Sequence, residues 1–240
     1  LDQSAQMTML PQLALDMRLE PGISFASYFA GANGQVVEAV RALAAGTGEQ
    51  VVFLYGSPGL GKTHLLQAAC REVAERGEPV AYLPLREAVR WSPGVVEGLE
   101  TMTLVALDDV EAVVASPAWQ EALFHLFNRL RAAGHRLLAS GAGRPADLGL
   151  QLEDLVSRLQ WGLVLRLQDH DDAQKAASLH FHAKLRGLEL PDETARYLLM
   201  HYPRELPTLF RLLDRLDQAS LAAQRRLTVP FVRQILQQKE

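Results

Sequence analysis

One short stretch limits what this 240-residue chain can become: Gly56-Ser57-Pro58-Gly59-Leu60-Gly61-Lys62-Thr63, which has the spacing G-x-x-x-x-G-K-[ST]. Glycines let a backbone wrap tightly and aim successive N–H groups at one anion. A helix opening at Lys62 turns its positive end toward the same point. The Lys62 ammonium can then reach the outer phosphates of a polyphosphate, and the Thr63 hydroxyl can ligate Mg2+. Such a loop needs a strand before it and a helix after it. Val51–Tyr55 is apolar, β-rich and closed by Gly56, while residues 62–75 carry a helical period. A glycine-rich turn with a surface lysine is the bland alternative, and these flanks disfavour it.

The strand–helix order recurs along the first two thirds of the chain. Apolar spacing predicts helices over 34–45 and 118–131, and strands over 80–83, 104–107, 136–140 and 163–167. Alternation of this kind predicts an α/β core with a parallel five-stranded sheet flanked by helices. From about Asp171 the strands stop. Residues 171–186, 191–201, 205–221 and 229–238 read as helices, with Leu206, Leu209, Phe210, Leu213 and Leu216 on one apolar face. The expected organisation is an arm over 1–22, an α/β nucleotide-binding domain over 23–168, and a small all-helical domain over 169–240.

Charge and cysteine content exclude other classes. The 24 Lys+Arg against 28 Asp+Glu give a net charge of -4, which disfavours a protein holding DNA mainly by neutralising phosphates. Cys70 is the single cysteine, so no intrachain disulfide can form, and on the phosphate-loop helix it reads as core. The first residues lack the basic start and apolar centre of a signal peptide, and Asp108 and Asp109 interrupt the most apolar stretch. A cytoplasmic protein with no membrane association is the expectation. Asp108, at the end of a buried strand, is suited to hold Mg2+, and Asp109 to orient an attacking water. His180 and His182, two apart on a helix, face different directions and do not form a metal pair.

Together these residues resemble the AAA+ branch of P-loop ATPases, and within it the DnaA family. Phe25-Ala26-Ser27-Tyr28-Phe29-Ala30-Gly31-Ala32-Asn33 resembles the segment that lines the adenine pocket. Ser157-Arg158-Leu159-Gln160-Trp161-Gly162-Leu163 resembles the S-R-F-x-W-G-L box, and Pro203-Arg204-Glu205-Leu206 the start of the lid helix. DnaA continues past its lid into a DNA-binding domain, whereas this sequence runs to Glu240 after a short arm, an arrangement similar to the Hda family of DnaA inactivators. The arm adds Pro11-Gln12-Leu13-Ala14-Leu15-Asp16-Met17, which resembles the Q-L-x-L-x-Φ peptide that docks on sliding clamps. Gln12 would anchor in a polar slot while Leu13, Leu15 and Met17 fill apolar pockets.

The resemblance implies a negative regulator of replication initiation. ADP or ATP, with Mg2+ on Thr63 and Asp108, would sit against Gly56, Ser57, Pro58, Gly59, Leu60, Gly61, Lys62, Thr63, His64 and the lid residue Arg204. Arg158 would act in trans as an arginine finger on ATP held by DnaA, against the alternative of a surface pair with Glu153 or Asp154. The implied partners are DnaA, the DNA polymerase III sliding clamp (its β subunit), DNA only through that clamp, and further copies of the chain in a homo-oligomer. Trp161 reads as packing. Two features depart from the family. The phosphate loop is intact where Hda relatives carry eroded ones. After the fourth strand, Gly141-Ala142-Gly143-Arg144-Pro145 offers no Asn or Asp sensor, although Ser140 could partly substitute, so hydrolysis in cis is expected to be weak. A helicase loader of the same ATPase class is the main alternative function, and an ATPase partner in DNA transposition a third.

Overall fold

The computed structural model describes residues 19–20, 22–223 and 225–237. In chain order the first part runs α1 (Gly34–Ala45), β1 (Val51–Tyr55), α2 (Lys62–Glu75), β2 (Val80–Pro84), α3 (Leu85–Ala88), β3 (Leu104–Asp108), α4 (Pro117–Ala133), β4 (Arg136–Gly141), α5 (Glu153–Leu159) and β5 (Leu163–Arg166). The strands form one sheet in the order β2-β3-β4-β1-β5, and every pairing is parallel. Both faces of a parallel sheet are covered, which is why these strands read as unbroken apolar runs. Along β1, Val52 and Leu54 pack with α1 and α2. Val51 and Phe53 point the other way, into a cluster with Leu123, Leu126 and Phe127 of α4 and Leu155 of α5.

The segment 85–101, to which the sequence pattern assigned no element, holds α3 and two 3-10 turns over Pro93–Val96 and Leu99–Thr101. These pieces are too short to show a period, yet they bury Leu85, Val96 and Leu99. β5 lies at the sheet edge with Leu163 exposed. Beyond it, the Leu167 N–H still donates to the Tyr55 carbonyl at 2.8 Å, continuing the ladder one residue further.

The helical part comprises α6 (Asp172–Leu185), α7 (Asp192–His201), α8 (Leu206–Ala223) and α9 (Val229–Gln237). Asp171 caps α6, accepting from the Gln174 N–H while the Gln174 side chain accepts from the Asp171 N–H. Pro191 sits at the cap position of α7 rather than inside its first turn, with ψ of 147°, and Asp192 and Glu193 follow where the helix dipole favours them. Leu206, Leu209, Leu213 and Leu216 are buried as the spacing requires; Phe210 is only half-buried. The two parts are joined by residues 167–171 and stapled by Asn33. That fully buried side chain donates to the Gln168 carbonyl at 3.1 Å and accepts from its N–H at 2.7 Å. Among the described residues no helix is long and apolar enough to cross a membrane.

Candidate nucleotide site

In open parallel sheets, ligands sit beyond the carboxyl ends of the strands. The loop Gly56–Thr63 lies there, between the end of β1 and the start of α2. Gly59 and Gly61 have φ of +82° and +85°, a left-handed conformation that suits glycine. A Cβ on Gly61 would come within 2.6 Å of the Tyr28 ring, and one on Gly59 within 2.8 Å of the Pro207 ring. The loop is thus gripped by the segment before α1 on one side and by α8 on the other. Lys62 is buried, and its Nζ donates to the carbonyls of Gly56 at 2.6 Å and Ser57 at 3.2 Å. Burial lowers the Lys62 ammonium from its usual range, opposed by the carboxylates of Asp109, Glu111 and Asp108. Thr63 is exposed in the first turn of α2.

Strand register brings the acidic pair to the same end. Asp108 is buried at the end of β3; its Oδ2 accepts from the Tyr82 hydroxyl at 2.9 Å and its Oδ1 from Ser140. Burial, then the adjacent Asp108 charge, pushes the Tyr82 phenol up and keeps it a donor. Ser140 also accepts from the Asp109 N–H at 3.0 Å, which commits this hydroxyl to the acidic pair. Asp109 adopts φ of +58°, the sole positive value at a non-glycine among the described residues. Its side chain is held by Arg86 at 2.5 Å, and Arg86 also reaches Glu111 at 2.8 Å. Sequence reasoning did not single out Arg86, because the contact spans two strand ends.

At the other end of the site a cavity of about 120 Å3 opens between the α/β part and the lid helices. Its floor is Gly59, Leu60 and Gly61, and Ser27, Tyr28 and Phe29 line one wall. The Tyr28 hydroxyl donates to the Leu60 carbonyl at 2.9 Å. His64 lines the cavity too, and its Nε2 meets the Ser24 carbonyl at 2.8 Å, so that nitrogen carries the proton. Burial lowers the His64 ring below the usual imidazole range, against the pull of that carbonyl. The remaining lining comes from His170, Ser178, His182, Leu206 and Phe210. Burial pushes His182 down to about 4, assisted by Arg186, and its ring centroid is 4.0 Å from that of Phe210. None of His170, Ser178, His182 or Phe210 carries a local pattern that marks a ligand contact; only the docking of the lid assembles them.

Other expected residues fall outside this cleft. Arg158, in the last turn of α5, is half-buried with its guanidinium carbon 5.9 Å from the Phe124 ring centroid. Its Nε is buried without a partner, and among the described residues neither Glu153 nor Asp154 pairs with it. Arg204 lies just before α8 and pairs with Asp172 at 2.9 Å, both side chains exposed. Trp161 packs edge-on against Phe127 with Arg131 above it at 4.3 Å, and it remains 46% exposed. His180 pairs with Asp192 at 3.1 Å while His182 faces the cavity. Cys70 is fully buried and its thiol is pushed up to about 12 by burial. Gln12, Leu13, Leu15 and Met17 lie outside the described residues.

Comparison with known proteins gives this geometry a lineage. The bacterial DnaA ATPase domain family matches residues 19–90 and 94–166, and the family of Hda lid domains matches 172–236. Domain III of the Thermotoga maritima replication initiation protein DnaA is 24% identical, with 92% of this chain and 98% of that one covered at a TM-score of 0.78. AMPPCP-bound DnaA from Aquifex aeolicus is 26% identical, with 84% and 67% covered at 0.73. The Holliday junction branch migration motor RuvB of Thermotoga maritima shares the fold at 19% identity, with 89% and 73% covered and a TM-score of 0.65. With a DnaA-type α/β core running straight into an Hda-type lid, the chain belongs to the DnaA-like AAA+ family, in the branch that carries the Hda lid.

Proposed function

We propose that this protein restrains replication initiation: it holds an adenine nucleotide at Gly56–Thr63, docks on the DNA-loaded sliding clamp, and presents Arg158 to ATP held by DnaA. The observation that carries the reading is the state of Arg158. A guanidinium half-buried at the end of α5, with no carboxylate partner among the described residues, keeps its donors for something else. Placed against a neighbour's triphosphate, it would stabilise charge on the γ-phosphoryl as that group transfers. The expected product is DnaA carrying ADP.

The chain's own nucleotide serves mainly to fix its conformation. AMPPCP in the Aquifex aeolicus DnaA supports an adenine nucleotide here. The donor set suits Mg2+, since Thr63 and Asp108 offer a hydroxyl and a carboxylate, hard oxygen ligands of the kind that leave room for water and phosphate. When bound, the ion would neutralise charge on the outer phosphates. Asp109 is held by Arg86, which supports weak turnover in cis. Gln12, Leu13, Leu15 and Met17 would supply the clamp contact, and DNA would be reached only through the clamp.

The test is DnaA-bound ATP turnover in the presence of clamp and DNA. Arg158→Ala should lower it by about 10³-fold; an unchanged rate overturns the mechanism. The complete phosphate loop favours a second reading, an ATP-driven helicase loader. Gln12→Ala separates the two: a regulator loses clamp capture, whereas a loader retains its helicase and never needed the clamp.

A further inference from the structure

Gln120, near the start of α4, is fully buried, and its whole amide is spent on backbone. Its Nε2 donates to the carbonyls of Val113 at 3.3 Å and Val114 at 2.9 Å. Its Oε1 accepts from the N–H groups of Gln151 at 2.8 Å and Leu152 at 3.0 Å. Two donors and two lone pairs are all that an amide has. Flipping it would set its amino group against two N–H groups and its oxygen against two carbonyls, so one orientation alone fits. The segments it joins both carry chemistry. Val113 ends the 3-10 turn Val110–Val113 that directly follows Asp109, and Leu152 is the cap residue of α5, which holds Arg158 in its last turn. With Arg158 as the finger of the proposed function, on which this rests, we infer that Gln120 is its positioning residue. The amide locks the start of α5 to the turn after the acidic pair and so fixes where the guanidinium stands.

The start of α5 needs such a lock. The helix is seven residues long, and Leu152 makes no side-chain cap. From below it is held by Leu155 and Leu159, both buried in the cluster that includes Phe53 and Phe127. Beyond its end Gly162 lies flush with β1, where a Cβ would collide with the Val51 carbonyl. Apolar packing is non-directional, so those contacts keep the helix down without setting its position along its own axis. Hydrogen bonds are directional, and a fully satisfied buried polar group selects one arrangement where apolar contact allows several. The far side of the link is firm: Val110 and Val113 are fully buried, and the Asp109 N–H is held by Ser140. From Leu152 to Arg158 the helix rises about 9 Å, short enough to move as a rigid lever. A shift at Leu152 is therefore passed on to Arg158, and a misplacement of about 1 Å costs on the order of 100-fold in rate.

Turnover of DnaA-bound ATP with clamp and DNA, measured with the full chain, tests this. Gln120→Met fills a similar volume and removes all four bonds. It should lower maximal turnover about 10- to 100-fold with KM for DnaA unchanged, the signature of alignment lost in the transition state. In an Arg158→Ala background the same change should cost nothing further, because Gln120 acts only through that guanidinium. A circular dichroism spectrum matching wild type reports an intact fold. Gln120→Asn, one methylene shorter, keeps an amide in the core but reaches only one of the two segments, and it carries the same comparison should methionine prevent folding. Unchanged turnover in a folded variant, a rise in KM alone, or a further loss on top of Arg158→Ala overturns the positioning role while the finger reading stands. Unfolding of both variants overturns it as well, since the amide would then hold the fold rather than Arg158. If Arg158→Ala itself leaves turnover unchanged, the finger reading falls and takes the positioning role with it.

Discussion

The two ends of the interdomain cleft are built on opposite plans. The phosphate end comes from one contiguous loop and two strand ends, and its side chains are already engaged: Lys62 with the loop carbonyls, Asp108 with Tyr82 and Ser140, Asp109 with Arg86. The lid end draws on residues from Ser27 to Phe210, and among the described residues Ser178 Oγ there has no hydrogen-bond partner. Recognition of charge is carried by backbone N–H groups and a helix terminus, which are rigid and fixed by φ and ψ. The lid end offers side chains instead, whose placement depends on how the lid helices pack over the loop. Affinity should therefore depend on the first end and selectivity on the second.

Lys62→Ala breaks the comparison most severely. If the lysine serves the phosphates and not the base, loss of its charge-assisted contacts should weaken ATP and inorganic triphosphate alike, by roughly 100-fold. A calorimetric result in which ATP alone suffered would refute that division.

Acid should then expose the lid. Burial pushes His182 from the ordinary 6.5 down to about 4 in the folded chain. Above 6.5 it is neutral whether folded or not; as pH falls below 6.5 the unfolded chain takes up a proton that the folded chain refuses. Stability is therefore lost between about 6.5 and 4, by roughly 1–3 kcal/mol for this group. Urea unfolding at pH 7 and pH 4.5 should show a shallower acid loss in His182→Leu than in wild type. Equal losses would mean that another group governs the acid limb.

The smallest effect belongs to the exposed Arg204–Asp172 pair. Asp172→Ala should change stability by less than about 1 kcal/mol, because an exposed ion pair is screened. If Arg204 belongs with the phosphate end, releasing it in this variant should leave ATP affinity the same or higher; a fall in affinity would assign the pair a positioning role instead.

The succession of core and lid was legible from particular residues. Gly56–Thr63 announced its conformation because its requirements are local: left-handed glycines, a strand before and a helix after. The five strands could be read because a sheet covered on both faces demands continuous apolar runs. The short turns over 85–101 could not, being briefer than one helical period, and neither could the capture of Asp109 by Arg86 across two strands. Trp161 read as packing, yet its place beside an edge strand leaves it half in solvent.

What the amino-acid sequence determined alone is the glycine loop between strand and helix, the parallel sheet and the succession of a DnaA-type core by an Hda-type lid. Only the tertiary structure decided the cavity between core and lid. His170, Ser178, His182 and Phe210 meet Tyr28 and Gly61 when α6 and α8 close over the loop, and contacts of such long sequence separation leave no period or motif along the chain.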